Sequence, residues 1–273
     1  MNLIKCSVCI LTFNSGKTLE KTLQNLKNFG EVVICDGGST DQTLLLAKEY
    51  GCTIIAQDGK FKNKEGKIID FSGVRNQCIE VAKYNWIFML DSDEYFEEGL
   101  ESEVRSVVSD YEIGCRVYNV PRKYIYKKKI VEHSPYYPRN YQVRFFARNV
   151  VDGYVKPIHE KIKIKQGCAV GLMRNPLYVP LSADVRSVIK KYNYYLSLEE
   201  ERHKNEKSFG KWLKNTLYRT LRSTIGVSAR YVKSLFCRGV KHPFRHFILD
   251  MLYNIKLIYI TGKKFLFFMR KYK

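Results

Sequence analysis

The fold is indicated first by the stretch Trp86-Ile87-Phe88-Met89-Leu90-Asp91-Ser92-Asp93-Glu94, in which an apolar run leads directly into acidic residues. A short apolar run of this kind is typical of a buried strand in a parallel sheet. Asp91 and Asp93 lie two residues apart on an extended segment, so their side chains project to the same side. Close carboxylates repel each other unless a cation lies near them, and their oxygens suit Mg²⁺ or Mn²⁺. The stretch therefore predicts a divalent-metal site at a strand end.

Helices and strands alternate upstream of this stretch, as expected for a parallel sheet covered by helices. The pattern predicts strands over 6–13, 31–35 and 52–57 and helices over 15–27, 39–50 and 71–83. Ser39, with Gln42 three residues later, predicts a capping box that opens the second of these helices. Beyond residue 95 we expect a helix over 97–110, strands over 115–131 and 142–147, and a helical, basic region from 183.

Polar residues follow the predicted strands. Thr12 and Asn14 follow the first strand, and Asp36 with Gly37 follows the second. Ligands of parallel sheets bind at the carboxyl ends of the strands, and a glycine lets the backbone approach a ligand closely. Taken singly, an Asp or Asn after a strand is an ordinary turn former or helix cap. Together with Asp91, these residues predict a ligand site at one edge of the sheet.

The composition allows one large domain and an appendage, since 273 residues with 45% hydrophobic content can bury a sizeable core. The net charge of +20 is concentrated near the end of the chain: residues 201–273 hold 18 Lys and Arg against 3 Asp and Glu, a difference of +15. Such a segment attracts polyanions, either nucleic acid or the anionic face of a membrane.

The cysteines number eight and lie mostly within apolar runs, and we recognise no secretory signal ahead of them. We therefore expect reduced core cysteines in a cytosolic protein. Cys6 and Cys9 have a redox or metal spacing, but they lie in a strand-like run rather than at a helix start, which favours the core interpretation. No apolar run reaches the roughly 18 to 20 residues of a membrane-spanning helix.

From 235 onward, apolar residues recur at helical spacing among cations, and they include Phe236, Phe244, Phe247, Tyr253, Tyr259, Phe265 and Phe267. This pattern is typical of a helix that lies in a membrane surface. The alternative is that the row packs against the rest of the chain. Nucleic-acid binding is disfavoured, because the aromatic residues follow helical periodicity rather than base-stacking positions of a sheet.

The chain resembles the family 2 glycosyltransferases, whose domain is the nucleotide-binding GT-A fold. The resembling stretches occur in the expected order, namely Ser7 to Asn14, Val32 to Asp41, Arg75-Asn76 and Asp91 to Glu94. The expected fold is thus α/β, a Rossmann-like mixed sheet with flanking helices plus a basic, amphipathic helical C-terminal region. We expect a catalytic domain over 1–182, with a nucleotide-sugar half (1–95) and an acceptor half (96–182), and a membrane-associating region over 183–273.

The resemblance also implies site residues. The nucleotide-sugar site would comprise Thr12, Phe13, Asn14, Asp36, Gly37, Arg75, Asp91, Ser92 and Arg144. Within it, Asp36 would bond the base and Arg75 would lie near the nucleotide. Asp93, with Asp91, would hold Mn²⁺ or Mg²⁺ at the diphosphate.

The sequence indicates the general base less directly than it indicates the nucleotide-sugar site. The downstream acidic pair and the Gln-x-x-Arg-Trp segment of many relatives are missing in their usual form. Three other stretches are similar to sequences of a subgroup that adds sugars to the lipopolysaccharide core. They are Tyr137-Pro138-Arg139, Arg144-Phe145-Phe146 and Pro157-Ile158-His159-Glu160. We therefore predict Glu160 as the base, with His159 orienting it or contacting the donor. Asp152 is the second candidate, and a surface pair between Glu160 and a lysine is the alternative.

These features predict an inverting transferase that moves a hexose from a nucleotide-diphosphate sugar, preferably UDP-linked, to a glycan or lipid-linked acceptor of cell-surface polysaccharide or lipopolysaccharide biosynthesis. We expect it in the cytoplasm, bound peripherally to the anionic inner face of the cell membrane, with no nucleic-acid partner. One rival is a nucleotidyltransferase, although Asn14-Ser15-Gly16-Lys17 is a short version of its glycine-rich loop. The other is a membrane-bound, non-catalytic nucleotide-binding scaffold.

Overall fold

The computed structural model describes residues 2–110 and 114–270, with side chains described as far as residue 265. The predicted C-terminal region therefore ends outside the described residues, and the side chain of Phe267 lies outside them as well. The chain forms two compact units. Unit 1 comprises Met1–Lys123 and Asn140–Pro180, and unit 2 comprises Tyr124–Arg139 and Leu181–Lys273.

Unit 1 is built on a mixed sheet whose first half is parallel. Its strands are β1 (Ile4–Thr12), β2 (Phe29–Asp36), β3 (Thr53–Ala56) and β4 (Trp86–Asp91), and its helices are α1 (Leu19–Gln24), α2 (Thr43–Glu49) and α3 (Phe71–Val81). The strands lie side by side in the order β3, β2, β1, β4. Since Thr12 pairs with Asp36 and Leu11 with Asp91, the three polar strand ends meet at one edge.

The second half of the sheet is mixed in direction. It follows α4 (Glu98–Ser109) and uses β5 (Val117–Tyr126), β6 (Lys129–Ile130), β7 (Tyr141–Ala147), β10 (Val170–Leu172) and β11 (Leu177–Pro180), while β8 (Val151–Val155) and β9 (Lys161–Ile164) form a separate ribbon. β7 runs antiparallel between β4 and β5. The mixed sheet with flanking helices predicted from the sequence is confirmed.

Two of the expected elements differ in detail. The strand predicted over 115–131 is interrupted by a turn at Lys127 and Lys128, both with positive φ (49° and 65°), so it becomes the hairpin of β5 and β6. The capping box is wrong: the Ser39 hydroxyl donates to Asp36 instead. α2 begins at Thr43, whose N–H donates to Asp41 Oδ1 at 3.0 Å. The turn around Asp36 is held by the Asp36 carboxylate, and the start of α2 is held by the Asp41 carboxylate.

The core of unit 1 lies on both faces of the sheet. Consecutive residues of β4 alternate between two apolar clusters, with Phe88 on one side and Met89 on the other, as strand geometry requires. All eight cysteines are free, and Cys6, Cys9, Cys35 and Cys78 are buried. Burial raises the pKa of the Cys35 thiol to about 12, so it stays protonated. Cys52, Cys115, Cys168 and Cys237 are half-buried, so the expected core position describes four of the eight cysteines.

Unit 2 is helical, as predicted. Its elements are α5 (Val185–His203), α6 (Phe209–Trp212), a π-helical segment (Leu213–Tyr218), α7 (Arg219–Leu235) and α8 (Phe244–Arg270). Residues 124–139 also belong to this unit, since the N–H groups of Glu132 and His133 donate to Val240 O at 2.8 and 3.0 Å. Within the described part of the chain, no helix combines the length and apolarity needed to cross a membrane.

Candidate active site

The loops that follow β1 and β2 are tied together by side chains. Asn14 Oδ1 accepts the N–H of Thr40 at 2.8 Å, and the N–H of Asn14 donates to Ser39 Oγ at 2.8 Å. The N–H of Gly16 donates to Asp41 Oδ2 at 2.9 Å. Asn14 has a φ of 49°, a conformation that Asn adopts more readily than most residues. The amide of Asn14 therefore shapes this edge of the sheet.

Asp36 is buried and accepts four hydrogen bonds. Its Oδ1 accepts from Thr12 Oγ1 (2.8 Å) and Ser39 Oγ (2.6 Å), and its Oδ2 accepts from the N–H groups of Gly38 (2.8 Å) and Ser39 (2.7 Å). Burial opposes ionisation, but the hydrogen bonds from Ser39 and then Thr12 outweigh it and lower the pKa. Both oxygens serve the turn, so contact between Asp36 and a nucleobase stays a prediction.

Phe13 and Gly37 form the exposed part of this edge. The Phe13 side chain is 62% exposed, and it lies so close to Gly37 that an added Cβ would come within 3.0 Å of Phe13 Cδ2. Lys62 Nζ donates to Gly37 O at 2.9 Å. An exposed ring with a cation beside it suits a flat, anionic ligand such as a nucleotide. Lys62 was not predicted, because its loop carries no motif.

Asp91 is held by two arginines. Arg75 Nη2 donates to its Oδ1 at 3.0 Å, while Arg144 donates to Oδ2 from Nη2 at 2.7 Å and to Oδ1 from Nη1 at 3.4 Å. Burial raises the pKa of this carboxyl, but Arg144 and then Arg75 outweigh that effect and hold it well below its usual range. Asp91 is therefore ionised and paired through both oxygens. Its role as a metal ligand, which would compete with these arginines, stays a prediction.

Glu94 and Arg122 complete this group of charges. Glu94 is fully buried, and its Oε1 lies 2.9 Å from Arg122 Nη2 and 3.3 Å from Arg144 Nη2. Its Oε2 accepts the N–H of Asp91 at 3.1 Å. Glu94 belongs to the resembling stretch Asp91 to Glu94, but the resemblance assigns it no role. Arg122 was not predicted, because a lone arginine on a strand is not part of any motif. Both fix the end of β4.

Glu160 joins the same group. Its Oε1 accepts from Arg75 Nε at 2.8 Å, so Arg75 links Glu160 to Asp91. The alternative of a surface pair with a lysine does not describe this side chain, which is 19% exposed. His159 is exposed and has a φ of 52°. The structure brings Glu160, Arg75, Arg144 and Asp91 together, while the catalytic roles of Glu160 and His159 stay predictions.

Asp152 and Arg139, which were also named from the sequence, are not part of the group of charges around Asp91. Asp152 pairs with Lys163 at 3.0 Å on the β8–β9 ribbon and is more exposed than Glu160. Arg139 is exposed and belongs to unit 2. Neither residue has a bond to the Asp91 group among the interactions described.

Ser92 and Asp93 lie beyond the end of β4. Ser92 Oγ lies 2.9 Å from Ser15 Oγ, which joins this turn to the β1 loop. Asp93 is half-buried. No cluster of three His, Cys, Asp or Glu suited to a metal occurs among the described residues. The local donors are all oxygens, which fits Mg²⁺ or Mn²⁺ held by few protein ligands, with the remaining positions left to a diphosphate and water.

In α/β proteins, the carboxyl edge of parallel strands is where ligands such as nucleotides bind, and the polar residues described above lie at that edge. The sequence profile described as "Glycosyl transferase family 2" matches residues 7–162, more than half of the chain. The chain therefore belongs to glycosyl transferase family 2, and its sheet is that of a GT-A fold. The resemblance predicted from the sequence is confirmed at the level of the family.

Individual relatives are more distant. The chain is 24% identical over 237 residues to the poly(ribitol-phosphate) beta-N-acetylglucosaminyltransferase TarP of Staphylococcus aureus, covering 80% of this chain and 70% of TarP. It is 31% identical over 112 residues to the glycosyltransferase SunS of Bacillus subtilis, covering 40% of this chain but only 25% of SunS. A crystal structure of S. aureus TarS 1–349 with UDP-GlcNAc aligns with a TM-score of 0.46 and 14% identity, covering 97% of this chain and 91% of that one.

Proposed function

We propose that this enzyme transfers a hexose from a UDP-linked sugar, with inversion, to a glycan or lipid-linked acceptor in cell-surface polysaccharide or lipopolysaccharide biosynthesis. The observation that carries the proposal is the group formed by Asp91, Arg75, Arg144 and Glu160 at the carboxyl edge of the parallel strands. TarP, whose name describes transfer of N-acetylglucosamine to poly(ribitol-phosphate), supports an acceptor that is itself a polymer.

The donor would lie along the edge formed by the β1, β2 and β4 loops. Phe13 offers a flat exposed surface to the base, with Lys62 beside it. The further residues that we assign to the donor site are Thr12, Asn14, Asp36, Gly37, Arg75, Asp91, Ser92 and Arg144. Arg75 and Arg144 supply positive charge where the diphosphate leaves, which stabilises the developing negative charge.

Asp93 would hold the divalent ion, Mn²⁺ or Mg²⁺, with Asp91 beside it. When bound, such an ion stabilises negative charge on the departing nucleotide diphosphate. Asp91 is already paired with two arginines, so an ion bound to its oxygens would compete with their guanidinium groups.

Glu160 would act as the general base. Its Oε1 is bonded to Arg75, so Oε2 is the atom that would take the proton from the acceptor hydroxyl. The acceptor oxygen then forms a bond to the anomeric carbon as the bond to the diphosphate breaks on the opposite face, which inverts the configuration. Arg75 fixes the orientation of the carboxylate, and His159 would contact the donor.

We assign catalysis to residues 1–182, with the donor bound by 1–95 and the acceptor by 96–182, and membrane association to 183–273. The cationic C-terminal helices would bring the enzyme to the inner face of the cell membrane, in the cytoplasm. A lipid-linked acceptor would be concentrated at that surface.

The test is hydrolysis of a panel of nucleotide sugars by the full chain, with Mn²⁺, with Mg²⁺ and with EDTA, because slow hydrolysis needs no known acceptor. We expect release of UDP from one UDP-hexose, dependent on metal and lost in Asp93→Ala, while Asp152→Ala keeps it. A nucleotidyltransferase would instead release no UDP in this assay, and it would release pyrophosphate when it is given UTP and a hexose 1-phosphate. Absence of metal-dependent UDP binding in calorimetric titration would indicate the non-catalytic scaffold.

A further inference from the structure

Unit 2 carries a row of large apolar side chains that face solvent along α7. Ile225 is 68% exposed, and Phe236, directly after the helix, is 86% exposed. The other exposed members of the row are Tyr218, Leu221, Val232 and Leu235. They are spaced by three, four or seven residues and therefore share one side of the helix, whereas Val227 and Tyr231 on the other side are buried. This side of α7 has no partner among the described residues.

A second exposed row runs along α8. Its members are Phe244, Ile248, Leu252, Ile255 and Tyr259, of which Ile255 is 62% exposed. The opposite side of α8 faces the interior of unit 2, where Asp250 accepts hydrogen bonds from the hydroxyls of Tyr136 and Tyr192. Both helices thus already have a buried side, and the exposed rows are additional to what the unit needs for its own core.

The two rows lie on the same side of the helix pair. Asn254 Nδ2 donates to Thr224 Oγ1 at 3.0 Å, and Ser228 Oγ lies 3.5 Å from Met251 Sδ, so the helices contact each other in antiparallel directions. Each residue of an α-helix is rotated by about 100° from the one before it. In two antiparallel helices that contact each other, the residues that directly follow the contact residues therefore point to the same side of the pair. Ile225 and Ile255 follow Thr224 and Asn254. We call the combined surface of the two rows the α7/α8 face.

The charge around this face has one sign. Residues 207–265 contain 13 Lys and Arg against one acidic residue, Asp250, which is turned inward toward Tyr136 and Tyr192. Arg222 and Lys233 are exposed on α7, and Arg245 and Lys256 are exposed on α8. Two copies of such a face would repel each other, and a soluble polyanion would leave the apolar rows in water. An anionic lipid surface satisfies both the cations and the apolar rows.

We propose that the α7/α8 face is the surface that docks on an anionic bilayer, with its apolar rows at the boundary between headgroups and acyl chains and its cations at the lipid phosphates. This inference rests on the proposed membrane association and specifies it: the docking element includes α7, and it is a pair of helices rather than the C-terminal helix alone. It does not depend on the assignment of donor or base.

The experiment is co-sedimentation of the full chain with vesicles of phosphatidylcholine containing about 30% phosphatidylglycerol, with pure phosphatidylcholine vesicles as the second arm. The test variant is Ile225→Gln with Ile255→Gln, because Gln is a good helix former and both positions are exposed. We expect its partition coefficient onto the anionic vesicles to fall about tenfold or more. The matched control is Leu45→Gln, which changes an exposed leucine on α2 and should bind as the unchanged chain does.

Equal binding of the variant and the unchanged chain would overturn the proposal, as would equal binding to both kinds of vesicle. Light scattering without vesicles gives a further test: a dimer that the double variant abolishes would make this face a self-association surface and overturn membrane docking. Full competition by soluble polyphosphate at constant ionic strength would point to a polyanion instead. Donor hydrolysis without vesicles should be unchanged in the variant, so failure of docking and failure of the proposed transfer are told apart.

Discussion

Arg144 holds Asp91 through two nitrogens, with Nη2 2.7 Å from Oδ2 and Nη1 3.4 Å from Oδ1. The same guanidinium also reaches Glu94 at 3.3 Å, so it is shared by two carboxylates at the end of β4. A forked cation of this kind fixes both position and orientation of its partner. The end of β4 is therefore positioned before any donor binds.

Replacing Arg144 by lysine should separate geometry from charge. Arg144→Lys keeps a cation but loses the fork, so we expect kcat for donor hydrolysis to fall by roughly 10- to 100-fold. Steady-state hydrolysis of the UDP-hexose measures the change, and thermal unfolding reports the stability of the variant. Arg148→Lys is the matched control, because the partners of the Arg148 side chain among the described residues are the backbone carbonyls of Ile79 and Ala82. Unchanged kcat in Arg144→Lys would contradict a role for the fork.

Glu160→Gln tests the general base. The amide can still accept from Arg75 through its oxygen but cannot take a proton, so transfer to an acceptor should fall by about 100-fold or more while UDP binding is kept. Transfer is measured with the identified donor and binding by calorimetry. Asp152→Asn, the same type of change at the second candidate, should retain activity. If the two variants behave in the opposite way, Asp152 is the base.

Glu94→Gln should destabilise the fold. Glu94 is fully buried between Arg122 and Arg144. Arg144 keeps its pair with Asp91, but removing the charge of Glu94 takes away the carboxylate that pairs with Arg122, and breaking a buried pair in this way costs about 3 to 5 kcal/mol. Chemical denaturation measures the free energy of unfolding. Glu65→Gln breaks an exposed pair with Lys67 and should leave that free energy unchanged. Equal stability of the two variants would show that the buried group is not structural.

His242 should make unit 2 sensitive to acid. Burial, and then the neighbouring His246, lowers the pKa of His242 to about 4. Between that value and the ordinary pKa near 6.5, the unfolded chain binds more protons than the folded one. Stability therefore falls as the pH is lowered through this window, by about 3 kcal/mol at most. The pKa of His246 is also lowered by burial and adds in the same direction, whereas burial raises that of Asp250, which acts in the opposite sense at lower pH.

Urea denaturation at several pH values between about 7.5 and 4.5 measures this dependence. His242→Phe removes the titrating group among the rings of Tyr124 and Tyr136 and should flatten the curve. His203→Gln is the control, since a hydrogen bond to Glu199 raises the pKa of His203, and its loss should leave the acid sensitivity in place. A slope that His242→Phe leaves unchanged would assign the effect elsewhere.

Much of the fold could be predicted because strand and helix signals are local. The run ending at Asp91 was predicted as a buried strand, and the alternation of helices and strands before it predicted that the strands are parallel, although not their order. The capping-box prediction failed because Ser39 has two possible partners nearby. Its hydroxyl could cap the helix or donate to Asp36, and it donates to Asp36 because a charged acceptor forms the stronger hydrogen bond. The turn at Lys127 and Lys128 carries no Gly or Asn to mark it.

The sequence named candidate site residues but not how they pair. Asp91 was predicted from its place at a strand end, and Arg75, Arg144 and Glu160 from the family resemblance, yet only the fold shows that they form one group with Arg122 and Glu94. Those pairs join positions far apart in sequence, such as 75 and 160, and no spacing rule reports them. Separation along the chain is therefore the physical reason that this part was missed.

The bonds of Asp36 have a consequence for how tightly the enzyme can hold a donor. Thr12 at the end of β1 and Ser39 in the loop after β2 both donate to the Asp36 carboxylate. Asn14 ties the loop after β1 to the loop after β2. Loops held in this way lose little conformational entropy when a ligand arrives. More of the contact energy then appears as affinity, and association should be fast, because no ordering step has to precede it.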